Sequence, residues 1–138
     1  EIGAHAVWSL SSAKRGCGLT ALLDPSLARF WQSEGAQPHA VRLRFPALVP
    51  ISYVAVYIDV RQDETYTPSR LALRAGTCDE SVQTVAERTL AQPQGWLWQR
   101  LVDDTGTPLR VAVVDVAVLA NVQAGKDTRL RRVVVLGP

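Results

Sequence analysis

The chain has 138 residues, of which 47% are hydrophobic and 20% charged. That fits one globular domain able to bury roughly two-thirds of its unfolded surface, and excludes a disordered chain. A net charge of +2, with basic residues scattered along the chain, argues against a nucleic-acid binder, and no apolar run reaches the roughly 18 residues of a membrane span.

The alternation of Ala6, Trp8 and Leu10 in residues 5–10 predicts a first strand. Ser11 to Gly18 breaks it. Asp24-Pro25 reads as the N-cap and first residue of a short helix ending near Phe30. Trp31 to His39 fits neither periodicity and reads as a polar loop hinged by Gly35 and Pro38. A second strand covers His39 to Phe45, with Arg42 and Arg44 facing out, and Pro46 and Pro50 bracket a turn. Ile51 to Val60 is β-branched and aromatic, a central strand. Arg61 to Pro68 is a second polar loop. Strands follow at Ser69 to Ala75, Val82 to Leu90 and Trp96 to Leu101, separated by turns at Gly76 to Ser81 and Pro93-Gln94-Gly95. After the acidic turn Asp103 to Pro108, Val111 to Ala120 is an apolar strand covered on both faces, interrupted by Asp115. Asn121 to Thr128 is a third polar loop, and Arg129 to Leu136 closes the domain. About eight strands plus one short helix predict an all-β class, an antiparallel β-sandwich of the jelly-roll type.

If successive strands run antiparallel, the connections alternate between the two ends. The first (Ser11 to Pro38), third (Arg61 to Pro68), fifth (Ala91 to Gln94) and seventh (Asn121 to Thr128) then share one end. The candidate ligand-binding residues there are Gln32, Ser33, Asp63, Glu64, Tyr66, Thr67, Asn121, Gln123, Lys126, Asp127 and Thr128. Their amides, hydroxyls and charges suit an extended peptide or a sugar. The plain alternative is that loops are polar because they are wet.

No catalytic residue is expected. The pairs Asp63-Glu64 and Asp103-Asp104 are adjacent in sequence, so each points to opposite faces of an extended chain. His39 has no evident nucleophile beside it, and Gly16-Cys17-Gly18 lacks the preceding strand of a phosphate cradle. Cys17 and Cys78, with only His5 and His39 as imidazoles, make neither a zinc site nor a disulfide framework. They read as free, packed thiols, with a single disulfide as the alternative. No metal and no cofactor is expected, and no signal peptide. The absence of methionine marks a fragment, a processed chain or an excised domain without native terminal tails.

Several stretches carry a resemblance. Trp8-Ser9-Leu10-Ser11-Ser12-Ala13-Lys14, Trp31-Gln32-Ser33-Glu34-Gly35 with Gln37-Pro38-His39, and Asp63-Glu64-Thr65-Tyr66-Thr67-Pro68-Ser69 stand in the order found in the DOC domain. Pro93-Gln94-Gly95-Trp96 and Val118-Leu119-Ala120-Asn121 fit as well. The whole chain, 1–138, thus resembles a single DOC-type domain, most similar to the subunit-ten family of the anaphase-promoting complex. The resemblance implies a galactose-binding-like jelly roll and no chemistry of its own. It implies a subunit that recognises substrates and raises processivity, acting with a coactivator as co-receptor for the destruction-box degron, in the nucleus and cytoplasm. The implied partners are the other subunits of the complex, the coactivator and the destruction-box peptide, with no nucleic acid and no membrane.

The chain departs from that family in its last loop, which usually reads Asn-His-Gln-Asn-Gly-Arg-Asp-Thr-His. Asn121, Gln123, Gly125, Asp127 and Thr128 are kept, while two histidines and an asparagine are lost. Lys126 replaces an arginine and so lacks its bidentate fork. Glu34 stands where aspartate is usual. The alternative readings are a DOC module of another ubiquitin ligase, or a carbohydrate-binding module on the same fold. A sugar site needs an exposed aromatic platform. The four tryptophans sit mostly in strand patterns, which predicts core positions and leaves Tyr66 as the loop aromatic free to serve.

Overall fold

The computed structural model describes residues 1–138. Two antiparallel sheets face each other. The larger contains β1 (Val7–Leu10), β3 (His39–Ile51), β8 (Leu109–Asn121), β5 (Pro68–Gly76) and β6 (Gln83–Thr89), in that spatial order. The smaller places β4 (Tyr53–Asp59) between β10 (Arg132–Leu136) and β7 (Gln94–Arg100). A two-stranded ribbon joins β2 (Trp31–Gln32) to β9 (Arg129–Leu130). Two four-residue helices, α1 (Leu19–Leu22) and α2 (Val60–Asp63), lie in the connections.

The sandwich follows from period-two patterning on strands of both sheets. Val41 and Leu43 of β3, Leu71 and Leu73 of β5, and Val114, Val116 and Val118 of β8 are buried on the inner face of the larger sheet. Val54, Val56 and Ile58 of β4, with Val133 and Val135 of β10, answer them from the smaller sheet. The central strand β8 is buried from Val113 to Val118, as its apolar run predicts. Asp115, which interrupts that run, is buried too, and both its oxygens accept from Arg42 at 2.6 and 2.8 Å.

All eight expected strands are present. Three local expectations change. The helix lies at α1, where Ala21 and Leu22 are buried, and not after Asp24. Asp24 does accept from Ser26 N at 2.8 Å, but Ser26 Oγ in turn accepts from Ala28 N, and Arg29 folds back onto Asp24. These local side-chain bonds compete with a helical ladder and leave a turn. The expected turn at Pro46–Pro50 is a bulge inside a strand that continues to Ile51: residues 45–48 stand opposite Ala112 alone. Pro46 brings no N–H to a ladder, so a bulge is the way to keep pairing on both sides of it. The chain then passes to the other sheet through Ser52. Finally, Trp31 is no loop residue. It is fully buried, pairs with Leu130, and its indole donates to Ser12 O at 2.8 Å.

Cys17 and Cys78 are free thiols. Cys78 is exposed and not packed, because it lies at the start of the turn after β5.

Candidate functional site: a pole built from three connectors

Strand reversal delivers the connectors to one end. Ser33 N donates to Thr128 O at 3.0 Å, and Thr128 N donates to Ser33 Oγ at 2.9 Å. Gln37 Nε2 donates to the carbonyls of Gly125 and Lys126 at 3.2 and 3.0 Å. His39, at the start of β3 and fully buried, sets Nε2 at 2.6 Å from Lys126 O. The second loop joins the third through Val122 N to Thr67 O at 2.8 Å and Thr128 Oγ1 to Tyr66 O at 3.3 Å. Val60 N, at the start of the second loop, donates to Pro93 O at 3.0 Å, which brings in the short connection before β7.

The third loop is held from inside by its own first residue, since Asn121 Nδ2 donates to Asp127 O. Its glycine is required by a close approach. A Cβ on Gly125 would collide with Thr65 O, so only glycine lets the two loops touch.

Beneath the loops lies an arginine–aromatic stack. Arg131, buried, meets the buried Asp63 through Nε and Nη2 at 3.0 and 2.6 Å and donates Nη1 to Leu27 O at 2.8 Å. The carboxylate beside it holds the Arg131 guanidinium above its ordinary pKa. Arg129 lies between Phe30 and Tyr66, 4.3 and 4.0 Å from the ring centroids, and donates to Gln32 Oε1 at 2.9 Å. A guanidinium between two rings is held by cation–π attraction on both faces.

The eleven residues singled out from sequence therefore share one pole, but they divide into two groups. Gln32, Ser33, Asp63, Thr67, Asn121 and Thr128 are buried. They hold the connectors together and do not reach solvent. Glu64, Gln123 and Lys126 are exposed, with Tyr66 and Asp127 half-buried at the rim. One ring face of Tyr66 is already taken by Arg129, so Tyr66 is not the free platform the sequence suggested. Gln37, which the first connector brings to this end, completes the scaffold with His39, Phe30 and Arg131, and sequence reasoning did not place the last three in it. For Arg131 the signal was a charged residue directly after a core leucine, Leu130, in a strand pattern.

Two kinds of local cost collect at this end. The buried side-chain atoms without a hydrogen-bond partner are His39 Nδ1, Thr67 Oγ1 and Asn121 Oδ1, all within the pole. The non-glycine residues with left-handed backbone are Glu64, Gln92, Gln123 and Ala124, with φ of 49°, 50°, 54° and 56°. All four belong to the converging connectors. Such conformations cost of order 1–3 kcal/mol each and gather where a surface is shaped for a task.

The pole offers recognition groups; Asp127 accepts from Ser33 Oγ at 3.3 Å and lies 3.9 Å from His39 Nε2, whose hydrogen bond runs to Lys126 O. Asp63 is committed to Arg131, and Asp103, at the other end, accepts from Thr105 and Thr107 within its own turn. No group of three His, Cys, Asp or Glu side chains is arranged to hold a metal ion. No helix is long and apolar enough to cross a membrane.

The sequence model of the family described as anaphase-promoting complex, subunit 10 (APC10) matches residues 1–138. The chain belongs to the APC10 family. Relatives named anaphase-promoting complex subunit 10 from Bos taurus and Homo sapiens are 41% and 40% identical over 138 residues, all of this chain and 75% of each relative. The subunit DOC1 of Saccharomyces cerevisiae is 30% identical over 128 residues, 91% of this chain and 51% of the yeast protein. As an APC10-family member the chain is a subunit of the anaphase-promoting complex, a ubiquitin ligase. Among solved structures, the family 32 carbohydrate-binding module of Clostridium perfringens NanJ in complex with galactose superimposes with a TM-score of 0.74 at 14% identity, over 96% of this chain and 94% of that one. The modules of ZmpB from the same organism in complex with GalNAc give 0.79 at 11% identity, over 98% of this chain and 34% of that one. At those identities the likeness shows the fold of the APC10-family chain, a galactose-binding-like jelly roll, and nothing of its ligand.

Proposed function

We propose that this chain is a non-enzymatic substrate-recognition and processivity subunit of the anaphase-promoting complex, a co-receptor for destruction-box degrons together with a coactivator, acting in the nucleus and cytoplasm. The observation that carries this reading is the concentration at one pole of strained backbone, unpartnered buried polar atoms and loop-to-loop hydrogen bonds. A pole so tied presents Glu64, Gln123, Lys126 and Asp127 on a stiff base, which lowers the entropy lost when an extended peptide binds. The mixture of carboxylates, an ammonium and an amide serves both donors and acceptors of a peptide backbone. The same groups contain no acid–base pair in contact, so binding is the work left for them.

The test is nuclear magnetic resonance on the isotope-labelled chain with coactivator and a destruction-box peptide. The expected result is peptide-dependent shifts or broadening at the amides of Glu64, Gln123, Lys126 and Asp127. Shifts confined to the opposite end, around Asp79 and Asp103, or none with coactivator present, contradict the proposal.

A further inference from the structure

The outer face of the smaller sheet exposes three large aromatic side chains, although Ala55 on the same parity is buried. On β4 the inward positions Val54, Val56 and Ile58 are buried, and Tyr53 and Tyr57 alternate with them on the outside. In register beside them stand Trp96, Trp98 and Arg100 of β7, and Arg132, Val134 and Leu136 of β10. Trp96 is 41% exposed, Trp98 51% and Tyr53 38%. This corrects the expectation that the strand tryptophans are core residues: Trp96 and Trp98 share the parity that points away from it. The rings form one connected group. Tyr53 meets Trp98 edge-on at 6.3 Å between centroids, Trp98 meets Trp96 at 6.2 Å, and Trp96 meets Tyr57 edge-on at 5.4 Å. Rings that order one another in this way lose little freedom on burial, and contiguous aromatic surface of this kind marks interaction sites.

Two arginines stand among the rings on this face. Arg100 is the register partner of Tyr53, and Arg132 that of Tyr57. Arg88 is not one of them: it stands opposite Leu71 on the inward parity of β6 and donates to Trp98 O and Gln99 Oε1 at 3.3 and 3.2 Å from the inner side. Neither Arg100 nor Arg132 has a carboxylate within 4.0 Å, whereas Arg42, Arg44 and Arg70 on the outer face of the larger sheet each do. The acidic residue on the smaller sheet's outer parity, Asp59, is buried at the end of β4 and accepts from Gln62 Nε2 and Arg61 N.

We propose that this face docks a segment of a protein partner that carries carboxylates around aliphatic or aromatic side chains. Carboxylates meet the free forks of Arg100 and Arg132, and apolar side chains bury the four rings between them. A second copy of this chain is disfavoured, because a shared contact would set Arg100 and Arg132 against their own like charges. The face belongs to sheet strands and not to the connectors of the pole, so its failure leaves the degron reading standing.

The test places the photoreactive residue p-benzoylphenylalanine at position 98 or, separately, at position 53, in the chain assembled into the anaphase-promoting complex. The expected product is a crosslink to a segment of another protein of the complex in which Asp and Glu outnumber Lys and Arg. Adding Arg100→Glu and Arg132→Glu should cut the crosslink yield, or the incorporation of the chain, by about tenfold. These arginines make no internal ion pair, so the thermal midpoint should stay unchanged. Three outcomes overturn the proposal: no protein crosslink from either position, a crosslink to a second copy or to a segment without acidic excess, or a yield that charge reversal leaves intact.

Discussion

Ser33 and Thr128 lie 95 residues apart and close a two-way bridge, the main chain of each bonded to the other. That bridge fastens the first connector to the third and sets the shape of the pole. Ser33→Ala removes the acceptor of a buried N–H, and a buried donor left unpaired costs about 1–3 kcal/mol. Urea denaturation should show a loss in that range. A loss near zero shows that the connectors are held elsewhere.

Gly125 tests the same architecture from the second loop. Gly125→Ala forces a Cβ against Thr65 O on the present backbone. The loops must part, at a cost of about 1–3 kcal/mol. Amide shifts should change over 63–67 and 121–128 while core residues such as Val54 and Val116 stay in place. An unperturbed 63–67 segment shows that the loops do not touch in solution.

The Asp63–Arg131 pair separates burial from mere proximity. Both side chains are buried, and removing one partner of such a pair costs about 3–5 kcal/mol because the other charge is left without compensation. Asp63→Ala should therefore destabilise by that amount, and far more than breaking the solvent-screened Arg44–Asp79 pair does. Equal effects would show that Asp63 is solvated.

Acid should weaken the fold. Arg44 holds the Asp79 carboxyl below its ordinary value of 3.8, the Thr105 hydroxyl does the same for Asp103, and Asp59 is lowered although burial pushes it up, because hydrogen bonds from Gln62 and Arg61 and nearby arginines outweigh that. The unfolded chain binds protons on these groups first. Their contribution is thus present above about pH 4 and lost as pH falls through the depressed folded values. Denaturation midpoints should decline below pH 4, and Asp79→Asn should flatten the decline. A midpoint that rises on acidification contradicts the assigned signs.

Much of the fold was legible because alternation is a direct readout of a face. Val41, Leu43 and Phe45 against Arg42 and Arg44 described β3 correctly, and the apolar run of β8, broken by Asp115, described a strand covered twice. Trp31 was not legible, because two residues are too few to alternate and its partner Leu130 is 99 positions away. Asp24 misled because the same side chain caps helices and turns alike. Trp96 and Trp98 misled because parity shows that two residues share a face and not which face looks inward. At the pole, the residue types and their co-location were readable. Burial was not: Ser33, Thr67 and Thr128 look like ligand contacts in a sequence, and only the loop-to-loop hydrogen bonds show them to be fasteners. Arg129 and Arg131 fall in the closing segment, and nothing local marks Phe30 as a ring beside both or Tyr66 as a second ring on Arg129.

The most direct measurement is the number of ubiquitins added per substrate encounter by the complex carrying Gln123→Ala and Lys126→Ala, two changes at exposed rim side chains that remove no contact of the core. The account predicts shorter chains on destruction-box substrates, with the subunit folded and assembled as before. Chains of unchanged length from that complex contradict it.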